Sequence, residues 1–238
     1  MIEQSNITID YSNITKLNLS QQVLNSLPDD INLYVNLTEL NCSLNRITSL
    51  GILPSSLKIL NCKNNWLTSL DNLPPNLIEL HCGCNKITRL DNLPPNLKKL
   101  YCGYNMLTTL DNLPSGLTHL YCSNNTLKSL DNLPSNLIEL NCILNILTHL
   151  DNLPPNLREL ECWHNKIISL NNLPTKLRKL DCYCNYITSL DNLPSTLEDL
   201  FCHQNPFIYD FVPTLENIRN YNDMKNKTKI KSTNTYKF

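Results

Sequence analysis

Leu70-Asp71-Asn72-Leu73-Pro74-Pro75-Asn76-Leu77-Ile78-Glu79-Leu80-His81-Cys82-Gly83-Cys84-Asn85-Lys86-Ile87-Thr88-Arg89 is followed, without a gap, by Leu90-Asp91-Asn92-Leu93-Pro94-Pro95-Asn96-Leu97-Lys98-Lys99-Leu100-Tyr101-Cys102-Gly103-Tyr104-Asn105. The same frame opens at Leu110, Leu130, Leu150, Leu170 and Leu190. The period is 20 and does not slip between Leu37 and Asn205. A more divergent unit precedes it: Ile14, Leu17, Leu19, Gln22, Leu24 and Leu27 align with Leu37, Leu40, Cys42, Asn45, Ile47 and Leu50 after a first step of 23 residues. Self-similarity at such a period is the mark of a stacked repeat architecture.

The physical content of one unit follows from residue types. In L-x-x-L-x-C the Leu and Cys alternate with variable residues, the period-two pattern of a strand with one buried face. One short strand cannot bury that face alone. Stacked copies can, as a parallel sheet with about 4.8 Å between neighbours. Proline at 54, 74, 94, 114, 134, 154, 174 and 194 excludes a helix interior on the return leg and holds the residue before it extended. The Asn at 45, 65, 85, 105, 125, 145, 165, 185 and 205 can donate to one buried backbone carbonyl and accept from a backbone N–H, so a stacked column would satisfy the bend after each strand. The expected fold is an α/β-class solenoid: a curved parallel β-sheet of about ten short strands on the concave side, with an extended, turn-rich and non-helical convex side.

The motif L-x-x-L-x-C-x-x-N-x-[IL] resembles the leucine-rich repeat, with Cys in the third Leu position. Together with L-x-x-L-P-P-x-L it is similar to the short class found in secreted bacterial effectors. The Asn-rich, Cys-bearing version also resembles uncharacterised leucine-rich-repeat proteins of giant amoeba-infecting DNA viruses. The resemblance covers about Ile14 to Asn205. It implies a binding scaffold, right-handed in its coil, whose ligands are set by its surface rather than by its fold. Some bacterial relatives carry a separate C-terminal ubiquitin-ligase domain. Only 206–238 follow the repeats here, too few residues for one, so that activity is not carried over.

Composition narrows the function classes. The chain has 238 residues, a net charge of -1 and four glycines. A G-x-G-x-x-G dinucleotide fingerprint and a P-loop are absent. No apolar run approaches the ~20 residues of a membrane span. Met1 to Ser12 lacks the basic-then-apolar order of a signal peptide, and the expected location is the cytosol (a host cytosol if the chain is viral), not the secretory route. Cys42, Cys62, Cys82, Cys102, Cys122, Cys142, Cys162, Cys182 and Cys202 recur at the period, and only Cys84 and Cys184 stand outside it. A repeated position means a repeated environment, so the nine are expected as free thiols filling a core. Zinc-type C-x2-C spacing does not occur.

Four parts are expected: 1–26, an N-terminal cap and divergent first repeat; 27–205, the twenty-residue repeats; 206–221, a C-terminal cap with a short helix suggested by Leu215, Ile218 and Tyr221; and 222–238, a basic disordered tail. The Asp column at 71, 91, 111, 131, 151 and 191 would repel itself by ~0.8 kcal/mol per neighbour in water at ~5 Å. Acceptance from backbone N–H groups in Asx-type turns is the expected offset.

Function should lie on the variable residues of the strands. Two aromatic groups stand out as candidate partner-binding residues on the concave face. One is Tyr101, Tyr104 and Tyr121 with His81; the other is Trp163, Tyr183 and Phe201 with Ile143. The candidate nucleophile–base pair is Cys184 beside His164, and a zinc set would be His164, Cys184 and His203. Neither makes a complete catalytic constellation. No catalytic residue, cofactor, metal or small-molecule substrate is therefore expected, nor a membrane or nucleic-acid partner. The reading is a non-enzymatic scaffold binding a protein through its concave face. The alternatives are contact of the tail with nucleic acid or an anionic surface, and a host-directed effector or ubiquitin-pathway adaptor without its own catalytic domain.

Overall fold

A computed structural model describes residues 11–234. Ten three-residue strands form one parallel sheet in strict chain order: β1 (Lys16–Asn18), β2 (Glu39–Asn41), β3 (Ile59–Asn61), β4 (Glu79–His81), β5 (Lys99–Tyr101), β6 (His119–Tyr121), β7 (Glu139–Asn141), β8 (Glu159–Glu161), β9 (Lys179–Asp181) and β10 (Asp199–Phe201). Leu17 registers with Leu40, and Leu40 with Leu60, so the 23-residue first step and the 20-residue steps that follow end in the same alignment. A 3-10 turn at Ile31–Leu33 lies within the longer first step, and its Ile31 is buried.

The convex leg is not helical. Each proline carbonyl accepts from the leucine N–H three residues on, for example Leu77 N to Pro74 O at 3.2 Å and Leu117 N to Pro114 O at 3.0 Å. Proline thus starts a turn whose last residue enters the next core column. The second Leu of each turn and the ladder cysteines are almost wholly withdrawn from water: Leu60, Leu100, Leu160 and Cys62, Cys102, Cys162 are 0% exposed. All eleven cysteines are free. Burial pushes the thiols of Cys102 and Cys142 up to about 12, and Cys202, nearer the end of the array, up to about 11. With native protein and iodoacetamide, Cys84 and Cys184 are therefore expected to alkylate while the nine ladder thiols stay unlabelled until urea is added. Labelling of the ladder at a similar native rate would contradict this packing.

The asparagine column does what its repetition suggests, and it does so between turns. Asn65 Nδ2 donates to Cys62 O of its own turn at 3.1 Å and to Cys42 O of the preceding turn at 3.0 Å. Its Oδ1 accepts from Ile47 N of that preceding turn at 2.9 Å. The pattern starts at Asn45, which reaches Leu19 O, the carbonyl of the divergent unit's Cys-equivalent residue. Every such side chain therefore rivets two turns together.

Three expectations need correction. The Asp column does not cap backbone N–H groups among the described residues. Asp71 accepts from Ser69 Oγ, Asp91 pairs with Arg89, and Asp191 with Lys225. Asp71, Asp91, Asp111, Asp131 and Asp151 are exposed, where water screens their repulsion. The residue that shapes the turn is the next one: Asn72, Asn92, Asn112, Asn132, Asn152, Asn172 and Asn192 all take positive φ, between 54° and 58°. Asn tolerates that region because its short polar side chain bonds locally.

The second correction concerns 222–238. Helix α1 (Leu215–Asn234) runs through most of that stretch, so the tail is helical as far as Asn234; 235–238 lie outside the described residues. Thr214 Oγ1 accepts from Asn217 N at the helix start, an N-cap bond. Ile218 is 0% exposed against the last turn, and Asn222 Nδ2 donates to Leu190 O at 2.9 Å. Arg219 donates to Pro194 O and Leu197 O, and Lys225 pairs with Asp191. These bonds anchor the first part of the helix to the end of the array. Between array and helix, Phe207, Tyr209 and Phe211 stack in series at 5.3 and 4.8 Å, and Tyr209 Oη accepts from Leu190 N.

The third concerns Tyr104, expected on the concave face, and with it the residues at the same place of each turn: Leu44, Asn64, Cys84, Asn124, Leu144, His164, Cys184 and Gln204. Every member has φ between 51° and 57°. These residues do not continue the strands; they form the bend beyond them, on the flank of the sheet. The N-terminal cap expected at 1–26 lies outside the described residues up to Asp10.

Candidate functional site

The open face of the sheet carries the residues between the core positions. The column that ends each strand runs Asn41, Asn61, His81, Tyr101, Tyr121, Asn141, Glu161, Asp181, Phe201, and parallel register sets each beside the next. Because neighbouring strands are about 4.8 Å apart, aromatic residues in adjacent places of one column must stack. His81 and Tyr101 do so at 4.2 Å, Tyr101 and Tyr121 at 4.6 Å, with ring planes nearly parallel. Two residues further along each turn, Trp163, Tyr183 and His203 form a second ladder at 4.9 and 4.8 Å.

The structure gathers the predicted residues unevenly. His81, Tyr101 and Tyr121 form one stack. Tyr104 does not join it: its left-handed φ of 56° places it in the flanking bend, where it is 55% exposed. Trp163 and Tyr183 form the second ladder, and His203 completes it. Phe201 stands in the other column, beside Asp181 in register. Ile143 is only 8% exposed, so it is part of the packing next to Trp163 and not a contact surface.

The electrostatics of the two stacks differ. Around the first, polar groups satisfy one another. His81 Nε2 is 2.6 Å from Glu79 Oε1, Lys99 pairs with the same carboxylate, Tyr121 donates its hydroxyl to Glu139, and His119 also faces Glu139. Burial, then the Glu139 bond, raises the Tyr121 phenol well above its usual value. Around the second ladder, Lys179 and Asn141 both bond to Glu161. Asp181 keeps one buried carboxylate oxygen with no hydrogen-bond partner among the described residues. Burial raises its pKa, although Tyr183 N–H donates to it.

The nucleophile–base pair also forms: Cys184 Sγ lies 3.2 Å from His164 Nδ1. Both line an open groove of about 590 Å³ on the flank with Leu144, Ile146 and Tyr186. No carboxylate completes a triad there. Among the described residues no group of three or more His, Cys, Asp and Glu side chains could hold a metal ion, and the set His164, Cys184 and His203 does not converge. No helix there is long and apolar enough to cross a membrane.

The flank also holds residues that sequence reading missed. Trp66, Met106 and Tyr186 are about half exposed, and Arg46 and Lys86 lie 6.0 and 5.6 Å from the Trp66 ring. They sit two places beyond the left-handed residue, each N–H bonded to the preceding turn, as Trp66 N is to Ile47 O. The variability of that column was the available signal. On the opposite edge Lys98, Arg158 and Lys176 line a groove of about 430 Å³ with Asn136 and Asn156.

Comparison with known proteins matches this geometry. A family profile described as Leucine Rich repeats (2 copies) matches residues 75–115 and 155–195. No curated protein matches the chain. Among solved structures, YopM from Yersinia enterocolitica WA-314 is similar at 37% identity and a TM-score of 0.72, over 76% of this chain and 40% of that one. The leucine-rich-repeat domain of a Shigella effector is 33% identical with a TM-score of 0.57, over 63% of this chain and 69% of that one. The functional domain of InlJ from Listeria monocytogenes, which includes a cysteine ladder, is 29% identical with a TM-score of 0.60, over 83% and 57%. The chain thus spans less than half of the Yersinia protein, and all three are bacterial.

Proposed function

Because this chain belongs to the leucine-rich-repeat family, we propose that it is a non-catalytic scaffold that binds a protein partner through the concave face of its sheet. The observation that carries this reading is the second ring ladder. Trp163, Tyr183 and His203 lie on consecutive turns of an open sheet, while the leucines and cysteines that hold the array together are already buried. The ladder therefore contributes little to the core, and rigid aromatic groups with a polar rim are the usual anchors of protein interfaces. The Shigella relative is a domain of an effector, which supports a host-directed role. A viral origin and action in a host cytosol rest on the Asn-rich, Cys-bearing repeat.

The test is affinity capture by native protein and by the Trp163→Ala/Tyr183→Ala variant. The variant is expected to fold, since both rings lie outside the core, and to lose captured partner by about tenfold or more, as loss of two interface anchors would give. Equal capture by a folded variant would move the binding surface elsewhere. The flank with Trp66, Met106 and Tyr186 would be the next surface to vary.

A further inference from the structure

The concave face is charged asymmetrically, and the asymmetry coincides with the ring ladder. Strands β8 to β10 present Glu159, Glu161, Asp181 and Asp199 against one ammonium, Lys179. Register sets Glu161 directly beside Asp181, and Glu139 beside Glu159. Carboxylates about 5 Å apart repel even in water, and more strongly where rings displace water. Lys179 stands between Glu159 and Asp199 in register, but its Nζ bonds to Glu161. That leaves Glu159, Asp181 and Asp199 without a salt bridge among the described residues.

The contrast with the first stack decides what this means. There, Glu79 and Glu139 are each bonded by groups of the face itself, and nothing is left for a ligand to neutralise. Beside Trp163 and Tyr183, one Asp181 oxygen is buried and unbonded and two further carboxylates stand at the strand starts. The rings of the ladder face one another, so they offer their edges as a flat apolar strip. A long aliphatic stem can lie along such a strip while its charged head reaches the carboxylates. Guanidinium suits this arrangement because its planar fork donates to two acceptors at once.

We propose that the surface formed by Trp163, Tyr183, Glu159, Asp181 and Asp199 binds an arginine- or lysine-bearing segment of the protein partner. This rests on the concave-face reading and names the chemistry of what docks there. The occupant is argued from charge complementarity: an acidic or neutral segment would leave the three carboxylates unneutralised. Binding of a cationic segment relieves their mutual repulsion and sets a cation beside the half-buried Asp181 carboxylate.

The probe is a short fluorescent oligoarginine peptide, followed by anisotropy at moderate salt. Two variants each remove three carboxylates: Glu159→Gln/Asp181→Asn/Asp199→Asn on the face, and Asp111→Asn/Asp131→Asn/Asp151→Asn on the convex leg. The face variant is expected to bind about tenfold more weakly or less, and the convex variant to bind like the native protein, since charge-assisted contacts act locally. Equal weakening in both variants, which would mean attraction to bulk charge, overturns the proposal; so does failure of native protein to bind the peptide. Trp163→Ala, which alters no charge, is a second variant expected to weaken the peptide. Competition separates this inference from the reading beneath it. If the Trp163→Ala/Tyr183→Ala change abolishes partner capture but oligoarginine does not compete, the chemistry named here is wrong and the concave face stands. If oligoarginine binds through the three carboxylates while partner capture ignores the rings, the partner surface is wrong and the cationic site stands.

Discussion

Above about pH 9 the array is expected to lose stability steeply, through the thiol ladder alone. An ordinary thiol has a pKa near 9; burial holds Cys42, Cys102 and Cys142 up to about 12, and raises the others of the ladder as well. A folded value above the unfolded one means that the folded chain keeps protons the unfolded chain would release. The stabilisation is fully present below the unfolded value and is lost as pH climbs from about 9 through about 12. At about pH 10 each of these three thiols would favour unfolding by about 1 kcal/mol. The rest of the ladder is shifted in the same direction, so the losses add along the array, against a total stability of only about 5–15 kcal/mol for an ordinary domain. Circular dichroism across that range should show a sharp collapse. Cys102→Ala/Cys142→Ala should be less stable at neutral pH, because cavities remain, yet lose stability less steeply above about pH 9. A native signal that persists to about pH 12, or an identical slope in the double variant, would mean that the thiols are not held as dry as the structure shows.

Asn125→Ala should be the most damaging single polar substitution in the middle of the array. Asn125 Nδ2 donates to Cys102 O at 3.2 Å and to Cys122 O at 3.1 Å, and its Oδ1 accepts from Leu107 N at 3.0 Å. Removing the amide strands the Leu107 N–H and takes one of two donors from Cys102 O and Cys122 O, which keep Asn105 and Asn145; Asn125 itself is buried, so water does not easily replace it. One unsatisfied buried N–H costs about 1–3 kcal/mol and each lost bond to a still-bonded carbonyl less, which places the loss at about 2–4 kcal/mol. Asn136 makes the control. It is exposed and donates to Ser115 O on the convex edge, where water can take its place, and Asn136→Ala should cost less than about 1 kcal/mol. Urea unfolding of both variants checks this. Near-equal losses would show that the column fills space but does not rivet the turns.

Much of the fold was legible before any coordinates because the repeat is strict. Leu60 or Cys62 can be assigned to the interior from alternation alone, and Asn65 to a bend from its place after the strand. The ring stacks were legible in part for the same reason: residues twenty apart share a column, which pairs Tyr101 with Tyr121 and Trp163 with Tyr183, while Tyr104 and Phe201 belong to other columns and His203 was not singled out. The left-handed conformation of Leu44, Tyr104 and Cys184 was not legible, because their residue types do not favour it. The cross-turn bonds around them impose it, as Leu44 N to Lys63 O and Tyr104 N to Ser123 O illustrate. The Asp column was misread because a carboxylate before a turn resembles a cap in sequence, whereas the chain places Asn72 and its equivalents in the left-handed position. Helix α1 outruns its apolar pattern because polar groups anchor it. Lys225 to Asp191 and Asn222 to Leu190 are contacts between segments over thirty residues apart.

The candidate site divides along the same line. By itself the sequence determined the coil, its dry interior of leucine and thiol, and the columns that face water, because alternation and a fixed period leave one way to bury the repeated side chains. Only the tertiary structure decided which wet residues are already spent on one another. Glu139 is taken by Tyr121 and His119, Ile143 is covered, and Asp181 is left with an unbonded oxygen. Those outcomes depend on rotamers and on competition among neighbours across strands, which column membership cannot reveal.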